Sequence, residues 1–189
     1  LRLKTFGPDY TDKSDLYVGI DQSYSGFAMT VLAEDSTFKT TVARFETKGP
    51  DRLWEIEEYI KGVLHEATSR GTVKDIAMEG YAFGSQMANM LGELGGVVKL
   101  TLYKTNKING GKYPMIVPPT SLKKYVTGKG QGVSKSQILL NVYKKWGVEF
   151  TDDNAADSYG LAHIVSGKAK LSYEKEVYEK LSSVDYREF

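Results

Sequence analysis

The sequence predicts an α/β fold built on a mixed β-sheet, and two observations carry that reading. Three short strand-like runs follow one another near the start, at residues 16–20 (LYVGI), 26–33 and 38–45, the last two joined by the polar turn Glu34-Asp35-Ser36. A helical segment then separates the third run from a fourth, the pattern of a parallel crossover. Three antiparallel strands followed by alternating helices and parallel strands give a mixed five-stranded sheet with helices on both faces.

Each element has its own signal. Pro50-Asp51 opens the first helix, Leu53, Ile56, Ile60, Val63, Leu64 and Ala67 recur at helical spacing, and Gly71 closes it. Residues 74–78 (KDIAM) form the fourth strand. Residues 86–99 form a second helix, with Met87, Met90, Leu91, Leu94, Val97 and Val98 in line. Gly92, Gly95 and Gly96 weaken that helix but permit close approach of another backbone. Residues 113–117 make the fifth strand, ended by Pro118-Pro119. A short helix at 121–126, a loop marked by Gly128, Gly130 and Gly132, and helices at 134–146 and 154–166 complete the core. Trp54 and Trp146 sit at apolar helical positions and read as core, and His65 as a surface residue. The chain reads as one domain at residues 16–167. Residues 1–15 are an N-terminal extension, a tail or an addition to the sheet edge, and 168–189 are a charged, partly helical tail.

A chain of 189 residues with 41% hydrophobic and 26% charged residues suits a soluble domain. It has no Cys, which excludes disulfides, Cys-ligated zinc and thiol catalysis. No uncharged apolar run approaches the roughly 18–20 residues that span a bilayer. No leader is visible at the start. A cytoplasmic location and no membrane partner are therefore expected. The net charge of +1 hides an uneven distribution: between Glu93 and Glu149 stand ten Lys and no acid, and the remainder carries 15 basic against 24 acidic residues. Such a segment is either a polyanion-binding face or a solvated lysine-rich surface.

The acids fall at element ends. Asp21 ends the first strand, Glu79 ends the fourth, and Asp152, Asp153 and Asp157 open the last helix. Ligands of α/β sheets gather at the carboxyl ends of strands. Asp153 and Asp157 are four apart and share a helical face, and Asn154 can share it too. Carboxylates that converge repel one another, and a hard divalent cation relieves that repulsion. Singly, each acid has a plainer reading: a turn residue at Asp21, an exposed strand end at Glu79, helix N-caps at Asp152 and Asp153.

The run Val18-Gly-Ile-Asp21-Gln-Ser23 with Gly26 and Ala28, then Met78-Glu79, then Asp152-Asp153-Asn154-Ala-Ala-Asp157-Ser with Leu161 and Ala162, resembles the RuvC Holliday-junction resolvases of the RNase H-like fold. The basic stretch 122–138 is similar to the family's as well. The resemblance implies a metal-dependent endonuclease that nicks four-way junctions symmetrically as a homodimer, with two Mg²⁺ or Mn²⁺ ions per active site. Asp21, Glu79 and Asp157 match three of the family's four acids. The fourth family position holds Asn154 here, and Asp153 is the better ligand because a carboxylate holds a hard cation better than an amide. Lys123 and Lys135 match the family's phosphate contacts, with Lys124 and Lys129 nearby. The family's junction-opening aromatic position is Ala82, flanked by Tyr81 and Phe83, which either stack on a base or pack under the following helix. The helix carrying Met87, Met90, Leu91 and Leu94 is the candidate dimer contact or a core helix. The departures at Asn154 and Ala82 point to a divergent branch, phage-encoded members included.

Two other classes share features. An ATP-handling protein of the actin and sugar-kinase type also begins with a strand, an Asp and a small-residue turn, but needs two such domains. A non-catalytic branched-DNA-binding module would explain Asn154, but not the retention of Asp21, Glu79 and Asp157. The Gly128 to Gly132 loop lacks the Lys-Ser/Thr ending of a phosphate loop and reads as a DNA-contacting loop. His163, six residues after Asp157, is off its helical face.

Overall fold

The computed structural model describes residues 1–80, 88–106 and 113–187. Six strands form one sheet in the order β1-β4-β3-β2-β5-β6. These are β1 (Arg2–Asp9), β2 (Asp15–Asp21), β3 (Phe27–Ala33), β4 (Phe38–Arg44), β5 (Thr72–Glu79) and β6 (Met115–Val117). The β2, β3 and β4 strands are antiparallel neighbours, whereas β5 and β6 join β2 in parallel. The sheet thus has one strand more than the five expected. Residues 2–9 pair antiparallel with β4 across a bulge between Phe6 and Asp9, where Gly7 takes φ +91°. Of the two readings of this segment, a tail or an addition to the sheet edge, residues 2–9 follow the second; their charged, turn-rich composition left the choice open because this edge is nearly all exposed and needs no apolar alternation.

Period-two alternation sends β2 and β3 side chains to two cores. Leu16, Val18, Ile20, Phe27, Met29 and Val31 pack under α1 (Gly49–Arg70) and α2 (Ala88–Asn106). Ala28, Leu32, Val42 and Ala77 meet the other layer. That layer comprises α3 (Pro119–Thr127), α4 (Lys135–Trp146), α5 (Asp153–Val165) and α6 (Ser172–Leu181). From α6, Val177 and Leu181 enter the same core as α5. Helix ends follow their sequence signals. Pro50 stands in the first turn of α1, Ser134 and Gln137 form a capping box on α4, and Gly128 and Gly147 end α3 and α4 in the left-handed region.

Two tryptophan expectations divide. Trp146 packs against the core, edge-on to Tyr159, but Trp54 is 62% exposed near the start of α1. The buried α1 positions are Ile56, Tyr59, Ile60, Leu64 and Ala67, and Trp54 lies outside that stripe. Among the described residues no helix is long and apolar enough to cross a membrane.

Candidate active site

Asp21 and Glu79 stand at the carboxyl ends of adjacent parallel strands, which pair through Ile20 and Met78. Asp157 comes from the second turn of α5, which crosses β2 and β3. One carboxylate oxygen from each of the three lies within 4.8 Å of the others. Asp21 is deepest, at 5% exposure. Asp21 and Glu79 hydrogen-bond to one another through their carboxyl groups.

Electrostatics follow from that crowding. Burial, then the charges of Glu79 and Asp157, push Asp21 well above the usual carboxylate range. Burial also raises Glu79, against the Asp21 hydrogen bond and the Lys123 charge. Asp157 is pushed up to about 8, by burial and then by Glu79 and Asp153, despite Lys123 and Lys135. A pocket of about 200 Å³ opens beside these acids and is lined by Glu79, Asp153, Asp157, Lys123 and Lys135. The trio is a hard-oxygen donor set held together against its own repulsion, which fits a divalent metal ion.

The other acids separate. Asp152 is the N-cap of α5, accepting from the backbone N–H of Asn154 at 3.1 Å and Ala155 at 3.3 Å, and it pairs with Arg44 at 2.7 Å. Asp153 lines the pocket and pairs with Lys135, outside the trio. Asn154 packs against the start of β3, where a Cβ on Gly26 would lie 2.6 Å from its Nδ2.

The described lysines of the basic segment do not share one face. Lys123 and Lys135 reach the acids, and Lys129 is exposed in the loop beyond α3. Lys124, expected on DNA, turns the other way and pairs with Glu176 of α6. Lys104 pairs with Glu57 at 3.8 Å, and Lys145 is tucked against Glu174. Tyr81, Phe83 and Met87 lie outside the described residues, as do Lys107 and Lys112. Of the proposed dimer residues, Met90 is exposed and Leu91 half-buried, but Leu94 is fully buried under the sheet and cannot meet a partner. Met90 lies four residues before Leu94, on the same side of α2 but in its first turn, and is exposed there.

Sequence reasoning missed two supports of the site. The side-chain amide of Gln22 donates to the Glu79 carbonyl at 2.7 Å and ties the two strand ends together. Arg52 braces the loop after Asp21, donating to the carbonyls of Thr47 at 2.6 Å and Tyr24 at 3.4 Å and lying over the Tyr24 ring. A Gln beside a strand-end acid was the available signal for the first. An Arg 31 positions downstream of Asp21 gave none.

The chain has a RuvC-like fold. It superposes on the Thermus thermophilus RuvC structure with a TM-score of 0.61 at 18% identity, over 88% of this chain and 96% of that one. It superposes on T. thermophilus RuvC in complex with Holliday junction substrate with a TM-score of 0.64 at 17% identity and the same coverage. No family model and no curated protein sequence matches the chain. At these identities RuvC supplies the architecture, which accords with the strand-end motifs, and the chemistry must be argued from the residues.

Proposed function

We propose that this chain is a metal-dependent endonuclease of branched DNA, acting on four-way junctions by symmetric nicking. The observation that carries the reading is the trio Asp21, Glu79 and Asp157, with ligand oxygens within 4.8 Å of one another at the carboxyl ends of β2 and β5. The solved complex of T. thermophilus RuvC with a Holliday junction substrate supports the choice of substrate.

Asp21, Glu79 and Asp157 would hold two Mg²⁺ or Mn²⁺ ions, with Asp153 as the fourth acid. When bound, such ions activate water and stabilise the leaving oxygen in phosphodiester hydrolysis. The chain's own residues do the rest. Lys123 and Lys135 fix the phosphate backbone beside the acids, Lys135 exchanging Asp153 for phosphate. Gln22 and Arg52 hold the strand end and loop that carry Asp21. The product is a nick with 5′ phosphate and 3′ hydroxyl, and no protein nucleophile is needed.

A four-way junction has approximate two-fold symmetry, so two equivalent sites are needed, and a homodimer provides them. The outer side of α2, with Leu100 and Tyr103 exposed, is the contact we assign to it.

The test is cleavage of a synthetic four-way junction with Mg²⁺ or Mn²⁺, together with calorimetric titration of Mn²⁺ into the wild type and Asp21→Asn. Paired nicking and metal binding, both lost in the variant, are expected. Junction binding without nicking would overturn the enzyme and leave a non-catalytic DNA-binding module.

A further inference from the structure

A second cavity lies at the other end of α5, between α4, α5 and α6, with a volume of about 420 Å³. Small-molecule sites span roughly 300–1,000 Å³. It is separate from the acids. His163 lines it, six residues and thus about 9 Å along α5 from Asp157. Ser36, in the β3–β4 turn, lines it too, at the end of the sheet away from Asp21.

Its lining is rich in donors and rings. Lys144, Lys145, Lys168 and Lys170 face one acid, Glu174. That acid is committed: it pairs with Lys145 at 2.7 Å and accepts from the backbone N–H of Lys170 and Leu171. Lys168 donates to the Glu34 carbonyl, which leaves its charge unmatched. Lys144 and Lys170 are exposed and form no ion pair among the described residues. Among the described residues, these three positive charges around the cavity therefore have no ion-pair partner.

The aromatic wall is Trp146, stacked on His163 at 4.3 Å, and Tyr173 lines the cavity too, with the Lys145 ammonium 5.2 Å from the Trp146 ring and 4.9 Å from that of Tyr173. His163 is 6% exposed, and its Nε2 has no hydrogen-bond partner among the described residues. Burial, with the charges of Lys168 and Lys145, pushes its pKa down to about 3, so the ring is neutral. Glu174 acts the other way and does not offset this. Buried polar atoms normally have partners, and a ligand in the cavity would supply one.

We propose that this cavity binds a nucleotide, with the phosphate held by Lys144, Lys168 and Lys170 and the base against the Trp146–His163 wall. Lysine ammoniums give charge-assisted bonds to phosphate oxygens, and base–aromatic contact accepts any base. The nucleotide is either free or the terminal one of a DNA strand. This site stands independently of cleavage at the acids.

The experiment uses the full chain carrying Trp54→Phe, so that Trp146 is the sole tryptophan reporter. Its fluorescence is titrated with dAMP, with a 5′-phosphorylated single-stranded tetranucleotide, and with inorganic phosphate. A saturable change at about 1 mM or below is expected for a nucleotide probe. Lys144→Ala/Lys170→Ala, at two exposed positions, should weaken it roughly tenfold. Tighter binding of dAMP assigns a free nucleotide, and tighter binding of the tetranucleotide assigns a strand end. No saturable response to either, an unchanged response in the double variant, or phosphate binding as well as dAMP would overturn the proposal.

Discussion

Gly19 of β2 and Ser158 of α5 meet backbone to backbone: a Cβ on Gly19 would stand 1.9 Å from the Ser158 carbonyl oxygen and 2.5 Å from the Ala162 nitrogen. Asp21 lies two residues beyond Gly19, and Asp157 immediately precedes Ser158. The approach of helix to strand therefore sets the distance between two acids of the site. A buried hydroxyl chain fixes the helix in place, with Thr30 Oγ1 at 2.8 Å from Ser158 Oγ and 2.6 Å from Thr40 Oγ1.

Gly19→Ala should cost about 3 kcal/mol or more, because the colliding atoms are backbone and only movement of α5 makes room. Gly62→Ala is the control. Nothing lies within 4 Å of its added Cβ in the middle of α1, and it should stabilise by about 0.5–1 kcal/mol. Denaturant unfolding of the two variants measures both. Equal effects would show that the close approach is not required.

Thr30→Val removes the middle of the hydroxyl chain and leaves Thr40 without its partner in a fully buried place. A loss of about 1–3 kcal/mol in the same unfolding assay is expected. In Ser158→Ala the bond between Thr30 and Thr40 at 2.6 Å survives, so that variant should cost less than Thr30→Val.

These contacts mark where the sequence was legible. Asp21, Glu79 and Asp157 were readable because strand and helix ends carry local signals, and parallel strands bring their carboxyl ends together. The β2–β4 meander and the α1 stripe were readable from period alone. The edge strand β1 was readable only as one of two alternatives, since an exposed edge imposes no apolar pattern. The split of Lys123 from Lys124 was not readable. Adjacent residues on a helix point about 100° apart, and only the presence of α6 decides that Lys124 meets Glu176. Gly19 was visible as a glycine, but its neighbour across 139 positions was not.

The acids should make the metal-free protein less stable as pH rises. Asp157, with its pKa raised to about 8 from 3.8, holds a proton in the folded state that the unfolded chain releases. Its stabilising contribution is full below about pH 4 and is lost as pH rises toward 8. Asp21 and Glu79 shift in the same direction. Thermal unfolding without metal should therefore show Asp157→Asn gaining on the wild type between pH 5 and pH 8, while junction cleavage falls by roughly 100-fold or more. A wild-type stability that rises with pH over that window relative to Asp157→Asn would contradict the buried trio.

Asp153 and Asn154 should part in function. Asp153 lines the pocket with Glu79, Asp157 and Lys135, so Asp153→Ala should lower cleavage about 10- to 100-fold with little change in unfolding. Asn154 packs on Gly26, so Asn154→Ala should lower stability by about 1 kcal/mol and leave cleavage nearly intact. The opposite pattern would make the amide the fourth ligand.

The two sides of α2 should fail in different ways. Leu94 is fully buried against the sheet, so Leu94→Ala opens a cavity and should cost about 2–5 kcal/mol, whatever the protein concentration. Leu100 is 52% exposed on the outer side. Leu100→Glu should leave unfolding of the protomer almost unchanged, because no apolar contact of the core is lost. In sedimentation velocity it should shift the protein from dimer to monomer, since a charge in an apolar contact is left unpaired. Junction cleavage by that variant should then yield single nicks in place of paired ones. A monomeric wild type, or a dimer unaffected by Leu100→Glu, would move the contact off this helix.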